Sequence, residues 1–411
     1  MTMTRNLCDS GSVSPPPATA GTRPAPRLSP LVLLSLGALA WRFGFGVYRA
    51  IYNNFLVEVH GIRPEQLGLI ESIREVPGLL VVFLVALVAG LAPSLVTGAA
   101  CLLLAAGLLL YPFAGGFGHL VAITLLFSTG FHMLFPPQNS LVLHHAGEGK
   151  KGQWLGRIEG VGSAAALGAM AMTALLVSRL GFRGLFFLGA AVALGGAVAF
   201  FLTPGPDRLM VRSRGLGLRR EYFSYYVMTL VQGARRHFFL VFALYNLVEV
   251  HEVPTATVAT LLTVSGVALV ATRPLLGRLA DRFGETRVLA WCFGLVAAVF
   301  TGYAFVRDVR LIYLLFFLDS VLTFELVIVL YAYRIARGEG VAAALAGGST
   351  VGHITGVIVP FVGGLIWKFA GPSATFLFGT AVCLFGLFHA VRVGRRQALE
   401  APARPSPSSP A

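Results

Sequence analysis

Charge is scarce in this chain. Only 12% of its 411 residues are Asp, Glu, Lys or Arg, about half of the roughly 25% found in an ordinary soluble domain. So little charge cannot clothe a water-facing surface, which excludes a soluble globular protein. Enzyme motifs are missing too. Gly160-Val161-Gly162 follows no strand, so it is not a dinucleotide loop. Gly149-Lys150 lacks the rest of a phosphate loop, and His-Glu-x-x-His does not occur. Cys8, Cys101, Cys292 and Cys383 are scattered, with neither a metal-ligand spacing nor a disulfide framework. No catalytic residue, metal or cofactor is expected. Residues 1–28 are rich in Pro, Ser and Thr and hold no early apolar core, so a cleaved signal peptide is not expected either.

What the chain does have is apolar length. Its composition is 56% apolar. Leu79–Leu91, Leu95–Leu110, Ala164–Val177 and Leu185–Leu202 contain no charge. A membrane-crossing helix needs about 20 mainly apolar residues. The pattern predicts an all-α membrane protein with twelve spans at 30–58, 65–91, 94–113, 118–144, 153–179, 182–203, 221–249, 255–279, 286–306, 310–335, 340–368 and 374–394. The net charge of +14 gathers at the ends of apolar segments, so the partner it points to is the lipid bilayer and not nucleic acid. The longest internal connection, Thr203–Arg220, carries five arginines and two prolines and divides the spans six and six. The expected organisation is a disordered tail over 1–29, a six-helix bundle over 30–203, a linker over 204–220, a second bundle over 221–396 and a disordered tail over 397–411. Lys150, Lys151, the linker arginines, Arg278, Arg282, Arg287, Arg334, Arg337, Arg392, Arg395 and Arg396 share one side. The excess of basic residues in short loops marks that side, and both termini, as cytoplasmic, in the cell (inner) membrane.

The two halves repeat. Leu56-Val57-Glu58-Val59-His60 recurs as Leu247-Val248-Glu249-Val250-His251, and Gly181 with Leu188-Gly189-Ala190-Ala191-Val192 aligns with Gly371 and Phe378-Gly379-Thr380-Ala381-Val382. Both matches lie about 190 residues apart, as duplicated parallel bundles would place them. Small residues every four positions, at Gly152, Gly156, Gly160 and Gly168 and again at Gly348, Gly352, Gly356 and Gly364, predict close helix packing.

Between spans 8 and 9, Gly277-Arg278-Leu279-Ala280-Asp281-Arg282-Phe283-Gly284 resembles the signature loop of the major facilitator superfamily. The corresponding loop between spans 2 and 3, Ala89-Gly90-Leu91-Ala92-Pro93-Ser94, has lost the aspartate and the basic residues. The resemblance implies two pseudo-symmetric six-helix bundles that rock about a central cavity lined by spans 1, 4, 7 and 10. It also implies that Gly277, Arg278, Asp281, Arg282 and Gly284 form a gating loop, with Asp281 carrying the cytoplasmic latch. A monomer is expected.

Ionisable groups at mid-depth cost at least about 2.5 kcal/mol each, so they face the interior or act. Arg42, Tyr48, Arg49, His132, Arg235 and Arg236 are the candidate substrate-binding residues. Arginine keeps its charge and offers a planar fork to an anion. Arg235 and Arg236 point about 100° apart on a helix, so one of them is expected to face the cavity. Asp319, Glu325 and Glu75 are the candidate proton-coupling residues; Glu71, Arg74 and Glu75 are also spaced for local pairing. The expected function is movement of a small solute by alternating access, with a proton as the coupling ion and an anionic group on the solute. An uncoupled facilitator, a cation or drug exporter of the same fold, and a non-transporting membrane sensor stand as alternatives.

Overall fold

The computed structural model describes residues 28–209, 218–336 and 338–400. Most of both expected tails and residues 210–217 of the linker lie outside the described residues.

Among the described residues the protein is helical, and each expected span has a helix in place. Helix α1 is Pro30–Asn54, prolonged by a π-helical turn at Phe55–Val59. Helix α2 is Pro64–Leu79, continued by Val81–Leu87. Helices α3 and α4 are Pro93–Leu110 and Phe117–His145. Pro30, Pro64 and Pro93 each open a helix, where the missing N–H costs nothing and the fixed φ suits the first turn. The helical run Lys151–Phe201 bends at Gly181 into α5 (151–180) and α6 (182–201).

The second half follows the same plan. Helix α7 is Phe223–His237, prolonged by π-helical turns at Phe238–Ala243 and Asn246–Val250. Helices α8 and α9 are Thr255–Phe283 and Glu285–Phe305. Helix α10 is broken into Val309–Val321 and Glu325–Ile335. The run Glu339–Glu400 bends at Gly371 into α11 (339–370) and α12 (372–400). Among the described residues, eight helical runs are long and apolar enough to cross a membrane, two of them at 51 and 60 residues, enough for two crossings each. The remaining two crossings, α2 and α7, fall short on apolarity because they carry Glu71, Arg74 and Glu75, and Arg235, Arg236 and His237.

The duplication is written into the backbone. The matched pentapeptides end in the same π-helical turn, Phe55–Val59 and Asn246–Val250. Positive φ angles occur in matched pairs: Gly61 (57°) with Glu252 (49°), Gly149 (76°) with Gly338 (55°), and Gly181 (61°) with Gly371 (82°). Gly284, with φ 85°, has no such partner among the described residues, because its counterpart loop is the one that lost the signature.

The two halves meet at one end. Opposite the linker, Tyr245 donates to the Ile62 carbonyl at 2.9 Å, Asn54 donates to the Val253 carbonyl at 3.1 Å, and Lys368 pairs with Glu65 at 3.2 Å. Between them α2 and α11 touch backbone to backbone: a side chain at Gly364 would come within 2.6 Å of the Pro64 carbonyl oxygen. Toward the linker end the halves part. A carbon added at Gly152, Gly156, Gly160, Gly168 or Gly352 would meet nothing within 4 Å. The packing expected of the small-residue stripe therefore holds in α11 at Gly348, Gly356 and Gly364 but not along α5. These α5 positions are exposed, while Leu167 on the same helix packs against Gly266 of α8 in the second half.

Candidate functional site

The polar groups at mid-depth sort by what they touch. Arg42 on α1 is committed within its own half. Its Nη2 lies 2.7 Å from both carboxylate oxygens of Glu159 on α5, and its guanidinium sits 4.5 Å from the Trp41 ring centre and 5.3 Å from that of Phe135. Tyr48 is buried in an aromatic cluster, with ring centres 4.3 Å from Phe127 and 4.4 Å from Tyr52. Glu159, close to a span end in the sequence, is a partner that the sequence reading missed.

Arg235 and Arg236 split as their helical spacing requires. Arg235 is 2% exposed and turns into the second half, where its Nη2 bonds the Asp319 carboxylate at 2.5 Å and the Asp319 main-chain oxygen. Asp319 is fully buried there. Arg236 is exposed. It makes no hydrogen bond or ion pair among the described residues. Arg49, half-buried on α1, has none either; it feels the like charges of Arg236 and Arg74 and the opposite charge of Glu71. One unpaired guanidinium from each half thus approaches the other at mid-depth.

Beside them lies a denser cluster. Arg74 bridges Glu71 at 2.7 Å and Glu75 at 2.9 Å, the local pairing that their spacing predicted. The other oxygen of Glu75 is 3.3 Å from His353 Nδ1 on α11 and 3.9 Å from His132 Nε2 on α4. His237 on α7 closes the group: a carbon added at Gly356 would come within 2.9 Å of His237 Nε2 and 3.0 Å of the same Glu75 oxygen. His237 was not singled out in the sequence, although it follows the Arg235-Arg236 pair directly. Glu325 is exposed at the start of the second segment of α10, without an ion pair among the described residues.

The loop expected to act as a gate shows no latch among the described residues. Arg278, Asp281, Arg282 and Arg287 are exposed and form no ion pair with one another among the described residues. Asp281 lies in the last turn of α8, and Glu285 opens α9 and pairs with Arg334 at 2.9 Å.

A sequence profile of the Major Facilitator Superfamily matches residues 223–410, the second half of the chain. The second half of the chain thus carries the sequence pattern of that superfamily. Solved transporter structures share the fold of the whole chain. The nucleoside transporter NupG, in a mutant form, is similar with a TM-score of 0.75 at 12% identity, over 89% of this chain and 99% of that one. A bacterial homologue of the human lysosomal transporter Spinster, solved inward-facing and occupied, gives a TM-score of 0.67 at 14% identity, over 92% of this chain and 98% of that one. No curated protein sequence matches significantly. The chain is therefore a multi-pass membrane protein with the fold of a transporter, not of an enzyme.

Proposed function

We propose that this protein carries a small anionic solute across the membrane by alternating access, holding the anion between Arg49 of the first half and Arg236 of the second. The observation that supports the reading is the pair itself. Two guanidiniums without counter-ions, one from each half, repel each other until something negative lies between them. A bidentate anion can bond both forks at once. Bound there, it draws the halves together, which is the differential interaction that a conformational change requires. The Arg42 and Arg235 guanidiniums, held by Glu159 and Asp319, are not available for this. NupG is a nucleoside transporter; a nucleoside carries no negative charge to answer this pair, so the reading departs from that neighbour on substrate.

With the linker end cytoplasmic, as the basic asymmetry implies, the conformation described is open to the cytoplasm. None of the three carboxylates expected to carry a coupling proton stands free in the cavity: Asp319 is held by Arg235, Glu75 by Arg74 and His353, and Glu325 lies exposed at the break in α10. The anion reading stands without them.

The test is a thermal-shift panel of carboxylates, phosphate esters and uncharged nucleosides on the purified protein. It is followed by counterflow in vesicles at equal pH, which removes any contribution from a proton gradient. An anion should stabilise the parent. Arg49→Lys should weaken binding by roughly tenfold, because it keeps the charge but loses the fork, and Arg236→Gln should weaken it further. Stabilisation by uncharged solutes alone, with both variants binding as the parent does, would sink the proposal.

A further inference from the structure

The cluster at Glu75 has an unresolved proton. His132 Nδ1 lies 3.0 Å from the Ser128 carbonyl oxygen on its own helix, a partner to which it can only donate. A neutral ring then carries its hydrogen on Nδ1 and turns a bare lone pair on Nε2 toward the Glu75 carboxylate 3.9 Å away. Two acceptors face each other at a separation too long for a hydrogen bond and suited to an intervening cation. His353 Nδ1 borders the same oxygen, and the three donor atoms lie within 4.8 Å of one another. The site is also roofed for this purpose. A side-chain carbon at Gly78 would come within 2.5 Å of His353 and 2.6 Å of His132, so glycine there lets both rings reach the centre. A fourth donor waits beside them: His237 is 4% exposed and its ring makes no hydrogen bond among the described residues.

We propose that Glu75, His132 and His353, with His237 as the fourth ligand, bind a zinc-like divalent metal ion that ties the two halves together with the linker end open. Two or three imidazoles and one carboxylate suit zinc, cobalt or nickel, and not magnesium or calcium, which prefer all-oxygen shells. Zinc–ligand bonds of about 2.0 Å put tetrahedral donors about 3.3 Å apart. The Glu75–His353 pair already has that separation, and His132, 3.9 Å from Glu75 and within 4.8 Å of His353, has to draw in toward both. The Ser128 contact fixes the His132 tautomer, as outer-shell partners of metal-ligating histidines do. Glu75 and His132 belong to the first half, His237 and His353 to the second. The metal is therefore a brace between halves, and its effect on transport is inhibition.

Metal binding is read first without transport. Purified full-length protein is titrated with Zn2+, with Mg2+ as control, while the unfolding midpoint is followed. Co2+ is added separately, and its visible absorption reports a tetrahedral nitrogen–oxygen site. Zn2+ should raise the midpoint and Mg2+ should not. His353→Ala should weaken zinc binding by more than about 100-fold, because even an outer-shell loss costs 10–100-fold, and should abolish the cobalt band. His353 is partly exposed, so the variant should fold; His132→Gln is the second variant and should act alike. The brace is then read with Gly156→Cys, in a background without the native cysteines. Zn2+ should keep that thiol reactive from the linker side while transport stops, and His353→Ala should undo both effects. Equal zinc affinity in the parent and in both histidine variants, or equal stabilisation by Mg2+, would overturn the site. Binding without retention of the open end would overturn the brace. Because binding is measured without substrate, neither outcome depends on the arginine pair.

Discussion

Replacing Asp319 by Asn separates a structural ion pair from a proton carrier. Asp319 and Arg235 are 0% and 2% exposed. Removing one partner of a buried pair costs about 3–5 kcal/mol, because the other charge is stranded. Here the low end of that range applies. Arg235 reaches Asp319 through a single nitrogen, shared between the carboxylate and the main-chain oxygen, and the main-chain bond survives the substitution. Arg235 Nε and Asp319 Oδ2 have no partner to lose. A cost near 3 kcal/mol, spread over one bundle of the size of a 150–250-residue domain, lowers the unfolding midpoint by about 6–12 °C. Asp319→Asn should show this loss, and so should Arg235→Gln. The double variant should recover part of it, since neither charge is then left alone. The assay is unfolding of purified protein by tryptophan fluorescence, paired with accumulation under an imposed pH gradient. An Asp319→Asn protein as stable as the parent that has lost accumulation but kept exchange would refute the reasoning and restore Asp319 as the proton carrier expected from sequence.

Other outcomes follow from the same geometry. A carbon added at Gly156 would meet nothing within 4 Å, so Gly156→Leu should fold normally, bind substrate and, if this face of α5 closes on the second half during the cycle, fail to transport; a parental transport rate would mean that α5 never closes there. Asp281 has no ion pair among the described residues in this conformation, so Asp281→Asn should leave stability within about 0.5 kcal/mol, as an exposed substitution does, while slowing transport by weakening the closed state of the linker end. Equal rates in transport assays would remove Asp281 from the gate. Glu252 holds φ at 49° where its repeat partner is Gly61. Relief of about 1–2 kcal/mol of left-handed strain, against about 0.5–1 kcal/mol of added chain entropy, should make Glu252→Gly stabilising by roughly 0.5 kcal/mol. A lower unfolding midpoint would count against the strain.

The spans were legible because crossing a bilayer sets a length that few other pressures imitate, and because Pro64, Pro93, Gly181 and Gly371 mark the breaks. Even α2 and α7, whose charges spoil their apolarity, could be placed by that punctuation. Depth along a helix was read from position in the spans, which set Arg42, His132, Arg235 and Asp319 near the middle of theirs. Rotation about the helix axis was not, except where chemistry forces it, as with the adjacent Arg235 and Arg236. Partners were the least legible. Arg42 meets Glu159 across 117 residues and Glu75 meets His353 across 278, and nothing local to either residue announces the other. The metal-ligand cluster is invisible to any spacing rule for the same reason: its donors come one each from α2, α4, α7 and α11.

The chemistry sealing the two ends sets how easily the protein can switch. Opposite the linker, the polar contacts to be broken are the Tyr245 and Asn54 hydrogen bonds and the partly exposed Lys368–Glu65 pair. Hydrogen bonds contribute about 0.5–1.5 kcal/mol each and such an ion pair about 0–1 kcal/mol, so the polar contacts alone hold this end by about 1–4 kcal/mol, and the close packing of α2 on α11 adds to that. The linker end has only one charged signature loop with which to repay that, since Ala89–Ser94 has lost its own. Its closure must draw mainly on helix packing, and the bare stripe of Gly152, Gly156 and Gly160 on α5 is the surface built for it. The polar part alone, about 1–4 kcal/mol, corresponds to a differential affinity of roughly 5- to 1,000-fold between the two states. In the proposed mechanism, an anion that engages both arginines in one state and only one in the other supplies a difference of that size.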